Sequence, residues 1–279
     1  MSGLKVAVCL HAYGNVTPQT FFAWAAEMGA MRREGIERID LIPPFSDALL
    51  SRVRSCLATQ AVENGYDVMI WIDRDQVWAP GDVADLALRC AQVEGVVGAL
   101  FPYRSEEMRG KGFPWRSLPG TTPADLRLGM DELLECESVS GGFVAFWVPA
   151  IRFMIERLSA ATFVDPDMRV RRCKANPVGC FWDVCRPVSI PYGDGSTERD
   201  GLFQYSSDDW ILEHRLRFCG TKVYAWLRPL LRHVGDKEYS VADALGLAGT
   251  ADEVEGRLRA LAKVMAEEEA QHERSGQDA

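Results

Sequence analysis

Five apolar residues in succession, Val68-Met69-Ile70-Trp71-Ile72, run straight into Asp73-Arg74-Asp75. An unbroken apolar run of this length after Gly65 and Tyr66-Asp67 predicts a short strand buried on both faces, the pattern of a mainly parallel sheet covered by helices. In open α/β sheets, ligands sit outside the carboxyl ends of such strands. The two acids therefore fall where chemistry is done. Two carboxylates about 4 Å apart repel by roughly 4 kcal/mol at an effective dielectric near 20. A divalent cation removes that cost and offers hard coordination to a diphosphate. The plain alternative is a solvated turn after a core strand, where acids are also common.

The rest of the chain alternates in the same sense. Residues 4–10 read as a strand. Thr17 caps a helix with Pro18 at its first position, running to about Arg33. Residues 36–42 read as a second strand, ended by Pro43-Pro44. Ser46 or Asp47 caps a helix to Asn64, stopped by Gly65. Pro80-Gly81-Asp82 opens a helix to about Gln92, and residues 96–100 form another strand. Strand–helix alternation of this kind predicts a three-layer α/β/α fold with a mainly parallel central sheet. Residues 102–135 are rich in Gly and Pro and read as loop. Ser140-Gly141-Gly142 leads into an apolar strand at 143–148, and Pro149 opens a helix. Residues 162–204 are irregular. Ser206 or Ser207 caps a helix from Asp208 to Cys219, and strands follow near 222–226 and 230–234. From Asp252 the tail is polar and helical in pattern. One domain over residues 1–236 is expected, with a nucleotide-binding half at 1–104, a second half at 105–236, and a helical tail at 237–279.

With 47% hydrophobic and 25% charged residues, the chain is composed as a water-soluble globular protein. A net charge of −9 disfavours strong nucleic-acid binding, which rests on Lys and Arg neutralising phosphates. No apolar run approaches the roughly 20 residues of a membrane span. The eight Cys lie mostly in apolar contexts and predict reduced core thiols in a cytoplasmic setting. Cys173, Cys180 and Cys185, with six and four residues between them and Asp183 the nearest fourth ligand, read as core thiols ahead of a structural zinc site.

Seven landmarks in order resemble the A-type glycosyltransferases, and among them the compact phage or bacterial, family 2-like members. Ala12-Tyr13-Gly14-Asn15 resembles the nucleotide-facing turn after the first strand. Arg52-Val53-Arg54 resembles an Ala-Arg-Asn element, with Arg54 at the arginine position and Ser55 in place of Asn. Asp73-Arg74-Asp75 matches the D-x-D signature. Residues 97–104 resemble the strand and loop that follow it. Ser140-Gly141-Gly142-Phe143 is similar to a Gly-x-Gly-Phe turn lining the donor sugar. Residues 205–210 resemble a Ser-Glu-Asp-aromatic motif at the start of an acceptor-side helix, with Asp208 where Glu is usual. Leu231-Arg232-His233 resembles the late histidine that completes the metal site. The likeness covers roughly residues 4–236.

The resemblance implies a metal-dependent transferase taking a nucleoside diphosphate sugar as donor. It implies Mn²⁺ or Mg²⁺ held by Asp75, His233 and Asp73. It implies donor binding by Ala12, Tyr13, Gly14, Arg54, Asp73, Gly141 and Gly142. Asp209, or failing it Asp208, is then the acceptor-side base. The acceptor is open: glycan, lipid, protein or modified nucleobase. Individual residues keep a plainer reading beside this one. Arg54 reads equally as a helix-surface charge. Asp208 and Asp209 read as helix-start acids favoured by the dipole, and Trp210 as a core anchor. Two other functions stand against the transferase. A sugar nucleotidyltransferase usually carries a Gly-rich basic loop after its first strand, and residues 11–15 hold one Gly and no Lys or Arg. A non-catalytic sugar-nucleotide binder would keep binding without turnover.

Overall fold

The computed structural model describes residues 3–11, 16–30, 33–42, 49–103, 105, 107, 113–119, 133–164, 180–191, 203–206, 208–228, 231–235, 238–240 and 243. Of the tail expected to be helical at 237–279, residues 238–240 and 243 are described, and Glu238–Tyr239 form a short strand; the stretch from Asp252 lies outside the described residues.

Strand β1 (Leu4–His11) leads to helix α1 (Pro18–Ala30), whose start is fixed by Thr17: its Oγ1 accepts the Thr20 N–H at 3.2 Å. Strand β2 (Ile36–Ile42) follows, then α2 (Leu50–Glu63) and β3 (Val68–Asp73). The α2 helix begins later than Ser46 or Asp47. Its N-cap is Leu49, with no side-chain cap bond. Gly65, at φ +68°, turns the chain from α2 into β3, a conformation L side chains resist. After the two-residue β4 (Gln76–Val77) comes α3 (Asp82–Val93), opened by Asp82 Oδ2 accepting the Ala79 N–H at 3.0 Å.

Next come β5 (Val96–Ala99), β6 (Trp115–Ser117), β7 (Leu133–Val139), β8 (Phe143–Trp147) and α4 (Val148–Leu158). The remainder comprises β9 (Thr162–Val164), β10 (Cys180–Trp182), β11 (Val188–Pro191), β12 (Phe203–Ser206), α5 (Asp208–Phe218), β13 (Val223–Trp226), β14 (Arg232–Val234) and β15 (Glu238–Tyr239).

Eight strands form the main sheet in the order β2-β1-β3-β8-β5-β13-β7-β6. Its pairing corrects the expectation of a mainly parallel sheet. β1 pairs parallel with β2 and β3, and β13 with β5. β8 lies antiparallel between β3 and β5, and β7 is antiparallel to both β13 and β6. The reason is that a run buried on both faces carries no mark of its direction: Phe143–Trp147 would read the same either way. β7 itself arises partly from a stretch that read as loop. Glu135 and Glu137 are half-buried in it, and Glu135 pairs with Lys222 at 2.7 Å.

Alternate residues of the central strands divide between two cores. Met69 and Trp71 of β3 pack with α2, α4 and α5; Val68, Ile70 and Ile72 pack with Trp24 of α1 and with α3. Burial on both sides is what the unbroken apolar run demanded. Six cysteines among the described residues are free, five of them buried. Burial pushes the Cys136 thiol up to about 12, so it is an inert core group. Among the described residues, no helix is long and apolar enough to cross a membrane.

Candidate active site at the carboxyl edge of β3

The candidate site is assembled on the turn that ends β3. The Asp73 N–H donates to the Gly142 carbonyl at 2.9 Å, which ties this turn to the start of β8. The segment holding Ala12, Tyr13 and Gly14 lies outside the described residues. Both of its flanks meet this turn: His11 pairs with Asp73 in the β1–β3 ladder, and the Thr17 N–H donates to the Arg74 carbonyl at 3.1 Å.

Arg54 is not a surface charge. It sits within the run 53–62 of α2, all of it buried, and its side chain is 0% exposed. The guanidinium lies 3.6 Å from Asp73 Oδ1, with its carbon 5.0 Å over the Trp71 ring. A buried cation needs such partners, since stripping water from a charge costs several kcal/mol. The glycine pair makes the approach possible. A Cβ at Gly141 would stand 3.1 Å from Arg54 Nη2, and one at Gly142 would stand 2.6 Å from the Phe101 ring and 3.1 Å from Asp73 Oδ2. Gly142→Ala is therefore expected to cost about 1–3 kcal/mol, read as a lowered urea midpoint at unchanged slope.

Asp75 has a different partner. His233 Nε2 lies 3.3 Å from Asp75 Oδ1, and both side chains are largely buried. The small sheet β4–β14–β15 brings them together: the Val234 N–H donates to the Asp75 carbonyl at 2.8 Å, and His233 pairs with Gln76. His233 Nδ1 is 2.9 Å from the Pro102 carbonyl, which only accepts, so Nδ1 carries the proton. Phe101 packs edge-on against the ring at 5.4 Å. In neutral imidazole, Nε2 then presents a lone pair to a carboxylate oxygen. That arrangement calls for positive charge between the two: a proton on Nε2, or a cation. Fixing the tautomer through the far nitrogen is the usual outer-shell support of a metal-binding histidine.

One carboxylate oxygen and one imidazole nitrogen make a donor set that fits a divalent ion such as Mn²⁺. Next to it, Gln76 is fully buried, and among the described residues neither its Nε2 nor its Oε1 has a hydrogen-bond partner, which marks a place where polar demand is unmet. Of the three expected ligands, Asp75 and His233 face one another, while Asp73 Oδ1 lies beside Arg54; among the described residues no cluster of three or more His, Cys, Asp or Glu side chains that could hold a metal is found.

Asp208 and Asp209 begin α5, and nothing beyond their backbone is described. Helix α5 is nevertheless bound to the site's framework. Glu213, fully buried, accepts the Val139 N–H at 3.0 Å, one residue before the 140–142 turn. Arg217 donates to the Glu137 carbonyl at 3.0 Å, and Arg116 stacks 4.2 Å over the Trp210 ring. Trp210 is half-buried. Glu213, Gln76 and the Pro102 carbonyl escaped the sequence reading. Glu213 had one available signal, its place four residues past Asp209 on the same helix; the other two had none.

No family model matches this chain, and no curated protein matches it. Among solved structures it is similar to A197 from STIV, at 12% identity and a TM-score of 0.48, covering 88% of this chain and 95% of that one. It is also similar to GalNAc-T7 with UDP, GalNAc and Mn²⁺, at 13% identity and a TM-score of 0.49; the match covers 88% of this chain but only 45% of that one. Both scores fall below 0.5, so neither likeness fixes a family or a function.

Proposed function

We propose that this chain is a metal-dependent glycosyltransferase of the A type, using a nucleoside diphosphate sugar as donor. The observation that carries the reading is the divided D-x-D turn: Asp73 held by buried Arg54, and Asp75 facing a histidine of fixed tautomer. Asp75 and His233 would hold Mn²⁺ or Mg²⁺, and the donor's diphosphate and water would complete the shell. When bound, the ion neutralises charge developing on the leaving nucleoside diphosphate.

The chain's own groups have separate tasks. Arg54 fixes the Asp73 carboxylate, which faces the donor; since Arg54 is fully buried, it meets the donor through Asp73. Gly141 and Gly142 let the β8 turn pack directly against Arg54, Phe101 and Asp73, and so set the turn on which the donor sugar would rest. Asp209 is the first choice for taking the acceptor's proton, and Asp208 the second. The identity of the acceptor stays open among glycan, lipid, protein and modified nucleobase.

The deciding experiment is a thermal-shift panel of nucleoside diphosphates, each with and without Mn²⁺. One base should stabilise the protein with metal and do little without it; a flat panel overturns the reading. Asp209→Asn keeps shape and removes the proton acceptor. It should slow transfer by about 10²-fold with donor binding nearly unchanged, as measured by single-turnover transfer beside calorimetric titration. Transfer at the wild-type rate would move the base elsewhere. Donor binding with no transfer to any acceptor would favour a non-catalytic binder.

A further inference from the structure

Helix α1 is inside out in charge. Its 13 residues, Pro18–Ala30, contain one charged side chain, Glu27. That carboxylate is buried, and its Oε2 accepts the Gly81 N–H at 2.7 Å. The inward face is occupied by Thr20, Ala23 and Trp24. The outward face carries Phe21 at 60% exposure, Phe22 at 70% and Met28 at 62%. A surface helix normally turns its polar side to water. At 100° per residue, Phe21, Phe22, Ala25, Met28 and Gly29 fall within a stripe about 120° wide. Ala25 and Gly29 are exposed, and a Cβ built at Gly29 meets no atom of the described residues within 4 Å. The stripe is bulky at both ends and small in the middle.

We infer that this face of α1 docks on the same face of a second copy of the chain, across a two-fold axis at Ala25. Antiparallel apposition about Ala25 sets Phe21 against the open Gly29 of the other copy, Phe22 against Met28, and Ala25 against itself. Such a face is self-complementary, as an isologous interface must be. It also lets two chains of net charge −9 meet without opposing like charges on the helix. A bilayer surface is the poorer occupant. Membrane-lying helices border their apolar side with Lys or Arg, and α1 has neither. Large exposed side chains offer roughly 350 Å² per copy, against about 800 Å² in a standard interface. The dimer is therefore weak, with half-association at tens of micromolar.

Pairing through α1 stands apart from the proposed activity, though the face begins beside the site. Thr17 N–H and Thr20 Oγ1 bond the Arg74 and Gln76 carbonyls at 3.1 and 2.7 Å, so the dimer would brace the turn 73–76.

The test is sedimentation velocity of the full chain over about 5–200 µM, a window that brackets a micromolar constant. Wild type should shift from monomer toward twice 31.1 kDa. Ala25→Glu sets two carboxylates on the axis; it should stay monomeric throughout, with an unchanged melting temperature in dilute solution. Ala25→Cys should form a cross-linked dimer under mild oxidant while wild type does not, because small residues at the axis bring the two Cα atoms within disulfide reach. Wild type monomeric at the top concentration would overturn the inference. So would dimerisation of Ala25→Glu, absence of the cross-link in Ala25→Cys, or a monomer that instead floats with neutral phosphatidylcholine vesicles.

Discussion

Asp75→Asn and His233→Ala should each remove most of the Mn²⁺-dependent part of nucleoside diphosphate binding, while the unliganded protein melts close to wild type. The pair is joined through Nε2 and Oδ1 at 3.3 Å, with the other ring nitrogen committed to the Pro102 carbonyl. Asparagine keeps the shape and one oxygen but loses the charge, so a divalent ion loses half its protein donors in strength. Loss of a ligand or its support lowers metal affinity by at least about 10–100-fold. At a concentration 100 times Kd, a ligand stabilises by about 2.7 kcal/mol. For a domain of this size that is a rise of roughly 5–10 °C in Tm, and at least about half of it should be lost in both variants. If both keep the full metal-dependent rise, the cation binds elsewhere. If only His233→Ala keeps it, Asp75 binds with other groups and the histidine is a proton partner to the carboxylate.

Much of this arrangement was legible in the sequence, and the gaps have physical causes. The apolar run at 68–72 specified a central strand because no surface strand tolerates five buried residues in succession. Thr17 and Pro18 specified the start of α1 because capping is a local event. The direction of β8 was not legible, since antiparallel and parallel neighbours bury the same side chains. Arg54 was ambiguous for a related reason. The α2 sequence Val53-Arg54-Ser55-Cys56-Leu57-Ala58 has no polar stripe, and burial of the whole run follows from β10 and the 182–185 segment covering its far side. Thr59 Oγ1 and Ser55 Oγ accept the Trp182 and Cys185 N–H groups there, at 3.0 Å each. Those contacts join residues more than 120 positions apart, beyond any local pattern. The division of the two acids between Arg54 and His233 was also hidden. A D-x-D sequence shows the carboxylates but not which side chains come to meet them.

That division makes Arg54 the residue whose loss should be felt in both stability and binding. Arg54→Ala empties a fully buried site, removes the cation over Trp71 and leaves Asp73 without its guanidinium. Asp73 is 32% exposed, so water recovers part of its solvation, and the cost falls below that of stranding a fully buried charge. Cavity and lost contacts together should cost about 3 kcal/mol, measured by urea denaturation. Arg54→Met separates packing from charge. It fills most of the space with an adaptable apolar chain and should recover more than half of that stability. It should not recover donor binding, because the Asp73 carboxylate would no longer be fixed by a guanidinium. Nucleoside diphosphate affinity should fall about 10-fold in both variants, the scale of one charge-assisted contact, while the affinity for free Mn²⁺ at Asp75 and His233 changes little. Equal recovery of stability and binding in Arg54→Met would make the guanidinium a packing element only. Loss of both in Arg54→Met would mean that the charge, not the volume, holds α2 against the end of β3.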